Sequence, residues 1–314
     1  MRALIATTLL CFGALAACEH SAPLAVEDRR AVSLLARDPL ADAEWSEPVH
    51  VDAPINSAFS ELGPDLSPDE LSLYFGSDRP GGPGGVDIWA VHRDCVGCPW
   101  GTPFVLNINA PESDGGPSFS PDGHYLFFSS NREGSIAGSD DIWVAYREDV
   151  TDDFGWGSPV NLGPGVNTAA GEGGPVYLPA LRPEGADLYF IRGADVYRAL
   201  IDLDARTSGD AVPVVELNSP AFELEPAIRH DGKEIFFGSG RGGGPDIWTA
   251  TRQNVNDPWS APTRVILGTF TTPGSGLTPG LSHDGRTLLW SATFAFHGGL
   301  GKQDIWVSTR HQGQ

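Results

Sequence analysis

The sequence predicts an all-β fold: a closed ring of five blades, each a four-stranded antiparallel sheet. Three observations predict it. One phrase returns five times: "DLSPDELSLYFGSDR" from Asp65, "SFSPDGHYLFFSSNR" from Ser118, "ALRPEGADLYFIRG" from Ala180, "AIRHDGKEIFFGSGR" from Ala227 and "GLSHDGRTLLWSAT" from Gly280. A second phrase follows each: "DIWAVHR" from Asp87, "DIWVAYR" from Asp141, "DVYRALI" from Asp195, "DIWTATR" from Asp246 and "DIWVSTR" from Asp304, at spacings of 54, 54, 51 and 58 residues. Self-similarity at such a period marks a repeat architecture. A third phrase opens with Trp and has Pro three residues on: "WSEPVHV" at Trp45, "WGTPFVL" at Trp100, "WGSPVNL" at Trp156 and "WSAPTRV" at Trp259, with "AVPVVEL" from Ala211 as the copy without Trp. It comes first in the chain, while the chain stops after a second phrase. The last blade therefore borrows its outer strand from the N-terminal side, which closes the ring and removes the exposed sheet edges.

The elements follow in order. Residues 1–17 read as a signal peptide, with Arg2 as a short positive region and "ALIATTLLCFGALAA" as an apolar stretch too short for a comfortable membrane span. It ends in "LAAC", residues 15–18. This resembles the bacterial lipobox, and the resemblance implies cleavage before Cys18 and lipidation of Cys18. Ordinary secretion with cleavage near Ala17 is the rival. Residue 19 is Glu, not the Asp of the inner-membrane retention signal, so the resemblance implies the outer membrane of a bacterial envelope. Residues 18–44 form a lipidated tether, with a short helix over "VEDRRAVSLLA". Residues 45–314 hold the five blades.

Within each blade a short first strand precedes the Pro-Asp-Gly turn, whose residues suit a tight reversal. The apolar run after it, such as "YLFFSS", is a strand buried on both faces between neighbouring blades. A Gly-rich loop leads to the "DIW" strand, and the Trp–Pro phrase makes the fourth. Gly 39 and Pro 26 in 314 residues fit many short strands joined by tight turns. These phrases resemble the WD40-like, TolB-type β-propeller repeat family over roughly residues 45–310. Single copies depart from the pattern: His230 and His283 replace the turn Pro, and "RPEG" from Arg182 replaces "SPDG". The resemblance implies the fold and no single activity.

Cys11 falls in the signal segment. Cys95 and Cys98 form "CVGC", which predicts a local disulfide in an oxidising compartment; a redox-active pair and a metal site remain open. No second CxxC exists to complete a zinc site, and Pro99 after Cys98 excludes haem attachment.

Two loop sets share one face of such a ring. One carries an acid three residues before a Pro: Glu61, Asp114, Glu172 and Glu223. The other carries Arg79, Arg132, Arg192 and Arg241. In the fifth unit Gly276 replaces the acid and "SATFAF" has no Arg. Acid and Arg present together in four units and absent together in the fifth point to structural pairs. A ring of carboxylates open to chemistry is the competing reading, because a glycosidase needs two carboxyls in unlike environments. The Asp of each "DIW" phrase recurs in every blade and reads as structural. No HExxH, nucleophile elbow or EF-hand loop is present. No catalytic residues, metal or cofactor are expected.

The broken symmetry of the fifth unit singles out "WSATFAFHGGLGKQ", residues 290–303. Phe294, Phe296, His297 and Lys302 are the candidate ligand contacts there; packing of both Phe rings onto the blade is the alternative. The formal net charge of −21 repels nucleic acid and anionic lipid headgroups. The expected function is a non-enzymatic, monomeric, lipid-anchored envelope scaffold for a protein partner or a cell-wall polymer. The alternative is a carbohydrate-active enzyme, a glycan hydrolase or lyase working from carboxylates at the channel mouth. If the four acids sit against Arg, they are lost to catalysis; a free, close pair in the channel with one raised pKa would favour the enzyme.

Overall fold

A computed structural model describes residues 40, 43–181, 184–203, 207–268, 276–293 and 299–311. The chain divides into Met1–Ala41 and Asp42–Gln314. The signal segment, Cys18 and the helix expected in the tether lie outside the described residues, as do Phe294, Phe296 and His297.

The second unit is the predicted five-bladed ring. Strand β1 (Val49–His50) comes first and pairs with the last strand of the chain. Blade 1 is β2 (Glu61–Leu66), β3 (Ser72–Ser77), β4 (Asp87–His92) and β5 (Phe104–Val105). Blade 2 is β6 (Asp114–Phe119), β7 (Tyr125–Ser130), β8 (Asp141–Tyr146) and β9 (Val160–Asn161). Blade 3 is β10 (Glu172–Leu178), β11 (Ala186–Arg192) and β12 (Asp195–Asp202), with two short partners on the outer edge, β13 (Thr207–Ser208) and β14 (Val212–Pro213). Blade 4 is β15 (Glu223–Ile228), β16 (Glu234–Ser239), β17 (Asp246–Thr251) and β18 (Thr263–Arg264). Blade 5 is β19 (Gly276–Leu281), β20 (Thr287–Thr293), β21 (Gln303–Thr309) and β1. Blade 3 differs from the expected four strands because β12 runs on to Asp202 and pairs with β13 before the chain reaches the Ala211 phrase.

The second strands are buried on both faces. Phe127, Phe128, Phe236 and Phe237 have no accessible surface, and burial of each contributes roughly 1.5–3 kcal/mol. Two recurring clamps explain phrases that the repeat alone leaves unexplained. An Asn in the loop before an inner strand holds the residue after a "DIW"-type Asp at both ends: Ile88 by Asn109, Ile142 by Asn167, Val196 by Asn218 and Ile305 by Asn56. The Arg that ends the second phrase lies over the Trp that opens the third. The distances are 4.4 Å for Arg93–Trp100, 4.4 Å for Arg147–Trp156, 4.1 Å for Arg252–Trp259 and 4.6 Å for Arg310–Trp45. Each of these Arg residues also donates Nε–H to a turn carbonyl: Glu70, Gly123, Gly232 and Gly285. Blade 3 lacks both partners, with Ile201 where the Arg would stand. Cys95 and Cys98 are disulfide-bonded in the β4–β5 connection.

Arg310 further grips Glu234 of blade 4 with two hydrogen bonds, 2.9 and 2.5 Å, and Arg229 adds a third at 3.1 Å. All three residues are buried. Glu234→Ala leaves the buried Arg310 guanidinium without its carboxylate, while Arg229 keeps Asp231 at 2.8 Å. We expect it to lower stability by about 3–5 kcal/mol in denaturant titration; an unchanged midpoint would show that water reaches the pair.

Candidate functional site

The inner strands β2, β6, β10, β15 and β19 surround the central channel. At the start of four of them stands the predicted acid. Glu61, Asp114, Glu172 and Glu223 are fully buried. Glu61 accepts from Arg79 at 2.8 Å, Asp114 from Arg132, Glu172 from Arg192 at 2.8 Å and Glu223 from Arg241 at 2.9 Å. Three of them also accept a hydroxyl from four residues upstream, Ser57, Thr168 and Ser219, at 2.6 Å. Each Arg reaches a backbone carbonyl of the same loop, at Ile55, Ile108, Val166 or Leu217, and lies over an aromatic ring of its own blade. Each carboxylate is thus held by an Arg and ties loops together, although one buried oxygen of Glu223 has no hydrogen-bond partner. Lys302, the one described member of the proposed fifth-blade contacts, is exposed and pairs with Asp78 at 3.2 Å.

Two residues further along each inner strand lies a position the sequence reading passed over. It holds Gly63, Gly116, Gly174, Glu225 and Thr278. Every inner strand has a register shift here, just before or at its Pro. A β-bulge re-aims side chains and bends the strand. In blades 1 to 3 the residue has φ of +52°, +56° and +55°, the left-handed region that glycine occupies without strain. The glycine backbones converge there: a Cβ on Gly63 would lie 3.2 Å from the Gly116 Cα. Glu225 reaches across to them. A Cβ on Gly63 would meet its Oε2 at 2.8 Å, and one on Gly174 would meet its Cγ at 2.3 Å. The three glycines are thus a cradle for this one side chain. Thr278 completes the ring, accepting from the Gly63 N–H at 2.9 Å and bonding Ser291 at 2.6 Å.

Below this collar, toward the Pro-Asp-Gly turns, the channel opens into a small cavity of about 80 Å³. Glu225 and Asp65 both line it. Asp65 follows its Pro directly, where the other blades have Ser118, Val176, Ala227 and Gly280. It accepts from the Phe119 N–H at 2.8 Å, while no hydrogen bond or ion pair to the Glu225 carboxyl is found among the described residues. Both residues are partly buried and line the cavity. Burial nonetheless pushes both carboxyls up to about 7; for Asp65 the hydrogen bonds from Phe119 and Leu66 work against that rise. At the mouth the His230 and His283 rings are 4.2 Å apart. Burial, then the His230 neighbour, holds His283 below the ordinary histidine value.

The channel therefore carries two acids that break the fivefold pattern, in unlike settings. One is anchored by a backbone N–H. The other is free and sits on glycine backbone. Among the described residues no group of three or more His, Cys, Asp or Glu side chains could hold a metal ion, and no helix is long and apolar enough to cross a membrane.

No protein-family model matches the sequence, and no curated protein matches it in sequence. Solved structures do match. One is the Podospora anserina alpha-L-arabinofuranosidase in complex with cellotriose: 10% identity, 86% of this chain and 96% of that one, TM-score 0.55. Another is the native Bacillus subtilis arabinanase: 13% identity, 81% and 95%, TM-score 0.53. A TolB structure from Agrobacterium tumefaciens also matches, at 15% identity, 86% and 99% coverage and a TM-score of 0.47, too distant to carry the finer family assignment. At these identities the likeness shows the fold, a five-bladed propeller. Five of the matched structures, with TM-scores of 0.53 to 0.55, are named as arabinofuranosidases, an arabinanase or other glycoside hydrolases. The expectation of a non-enzymatic scaffold is corrected on that finding: these structures that share the fold are glycoside hydrolases.

Proposed function

We propose that the protein is a glycoside hydrolase whose site is the channel cavity, with Glu225 as general acid and Asp65 as the assisting carboxylate. The observation that carries the reading is Glu225 itself, a lone carboxyl with no cationic partner among the described residues, cradled by Gly63, Gly116 and Gly174 at the inner end of a cavity. A carboxyl that keeps its proton near neutral pH is suited to protonating a leaving oxygen. Burial raises Asp65 to about 7 as well, but the Phe119 and Leu66 N–H groups favour its charged form, which Glu225 lacks, so the anionic role is assigned to Asp65.

In the reaction, the bond between the anomeric carbon and the leaving oxygen breaks as the Glu225 proton moves to that oxygen. Water adds to the anomeric carbon and gives its own proton to the Asp65 carboxylate. The two carboxyls then exchange the proton with solvent, and no oxidant or reductant enters. The matched structures named as arabinofuranosidases and arabinanase make arabinofuranosides the first substrates to try. The "LAAC" run at residues 15–18 supports an enzyme held at a bacterial envelope through a lipidated Cys18.

The test is a panel of 4-nitrophenyl furanosides and pyranosides with the purified residue 19–314 protein. Release of nitrophenol that falls at least a hundredfold in Glu225→Gln, with the melting temperature kept, supports the reading. Turnover that survives the substitution overturns it.

A further inference from the structure

Two histidines stand together at the mouth of the channel, apart from the acids within it. His230 follows β15 and His283 follows β19, the neighbouring inner strands of blades 4 and 5. Each holds the second place of a four-residue turn closed by one backbone hydrogen bond, from Gly232 N–H to Arg229 at 2.7 Å and from Gly285 N–H to Ser282 at 2.8 Å. Proline is a favoured residue at that place, and the first three repeats carry it, as Pro68, Pro121 and Pro183. The two blades that give it up are adjacent, and both give it up for His. The turns bring the two rings to 4.2 Å between centroids, at 55° to each other. Two imidazoles that ligate one metal ion at about 2.0–2.1 Å stand at about this spacing.

Neither ring has a hydrogen bond or an ion pair among the described residues. By contrast, His50, His92 and His124 are hydrogen-bonded to Asn56, Ser72 and the Arg147 carbonyl. The carboxylates next in sequence are engaged elsewhere. Asp231 accepts twice from Arg229 at 2.8 Å, and Asp284 accepts from the Ser282 hydroxyl at 2.8 Å and the Arg286 N–H at 2.9 Å. The donor set these two turns offer is therefore a pair of ring nitrogens. We propose that His230 and His283 form a two-nitrogen site for a divalent transition-metal ion at the mouth of the channel, zinc being the first to try. Imidazole suits zinc, nickel and copper, whereas calcium and magnesium take oxygen ligands. With two protein ligands the ion keeps open positions. Water fills them, or an oxygen atom of a molecule arriving at the mouth takes its place. Neither histidine takes part in the proton transfers assigned to Glu225 and Asp65, so the metal site stands or falls apart from the hydrolase reading.

The experiment is calorimetric titration of zinc, nickel and calcium chloride into the purified, chelator-treated protein, made without a histidine tag. His230→Gln, His283→Pro and the control His311→Gln are titrated beside it. Zinc and nickel should bind the parent with a stoichiometry near one, and calcium should not bind. Loss of either ligand should weaken zinc by roughly a hundredfold, with the melting temperature kept, while His311→Gln binds as the parent does. His283→Pro installs the residue that blades 1 and 2 carry at this turn, which guards against a folding artefact. No binding of zinc by the folded parent, or parental affinity in folded His230→Gln and His283→Pro, overturns the site. Calcium that displaces the zinc, or an equal loss in His311→Gln, would place the ion on other ligands and overturn it as well.

Discussion

A variant lacking residues 45–51 is expected to aggregate, or to melt far below the parent, in a thermal scan with light scattering. The segment closes the ring. Val49 and His50 pair with Val307 and Trp306, and Ser46 exchanges hydrogen bonds with Thr309 at 2.8 and 3.0 Å. Val51 bonds Ile305 at 3.1 Å. Trp45 is buried against Phe236 and Trp290 and lies under Arg310. Its loss would uncover β21 as an unpaired edge, the template for association with other chains. It would also remove the ring that covers Arg310, which anchors the buried Glu234 pair. Trp45→Ala alone should cost about 3–5 kcal/mol, so the deletion should exceed it. A deletion variant that melts with the parent would show that the ring is held shut elsewhere.

That closure is legible in the sequence, and the reason is local. A Pro-Asp-Gly turn, an apolar run and a Trp–Pro phrase are each short-range signals, and their order along the chain fixes which blade is incomplete. The Arg–carboxylate pairs were legible too, because two positions lost together in one unit imply contact in the others. The channel acids were not found, although the signal stood in the sequence. Aligning the residue before each Pro gives Gly63, Gly116, Gly174, Glu225 and Thr278, and one acid among three glycines is conspicuous. In a regular strand Glu223 and Glu225 would point to the same face. A bulge separates them, so that Glu223 meets Arg241 while Glu225 enters the channel. Alternation alone cannot foresee that.

The same two acids should give the protein an unusual dependence on pH: stability that falls as pH rises from about 4 to about 7. Unfolded, Glu225 and Asp65 ionise near 4.5 and 3.8; folded, they keep their protons up to about 7. Over that window the folded state binds more protons than the unfolded one, so the slope of unfolding free energy with pH is negative. Each group contributes about 1.4 kcal/mol per pH unit, or roughly 3–4 kcal/mol across its window, all of it lost above about pH 7. His283, lowered in the fold, acts the other way near pH 6, since the unfolded chain gains its proton first. The net charge of −21 adds self-repulsion at high pH. Both effects persist in Asp65→Asn combined with Glu225→Gln, which keeps an acceptor for the Phe119 N–H and removes only the two titrations. Chemical denaturation of the parent and this double variant at pH 4 to 8 should therefore show two curves that converge at low pH and separate by several kcal/mol at pH 8, with the variant the more stable. Parallel curves would mean that water hydrates the channel carboxyls well enough to hold both near ordinary values. Glu225 would then carry no proton to donate at neutral pH, and the general-acid role would fail with it.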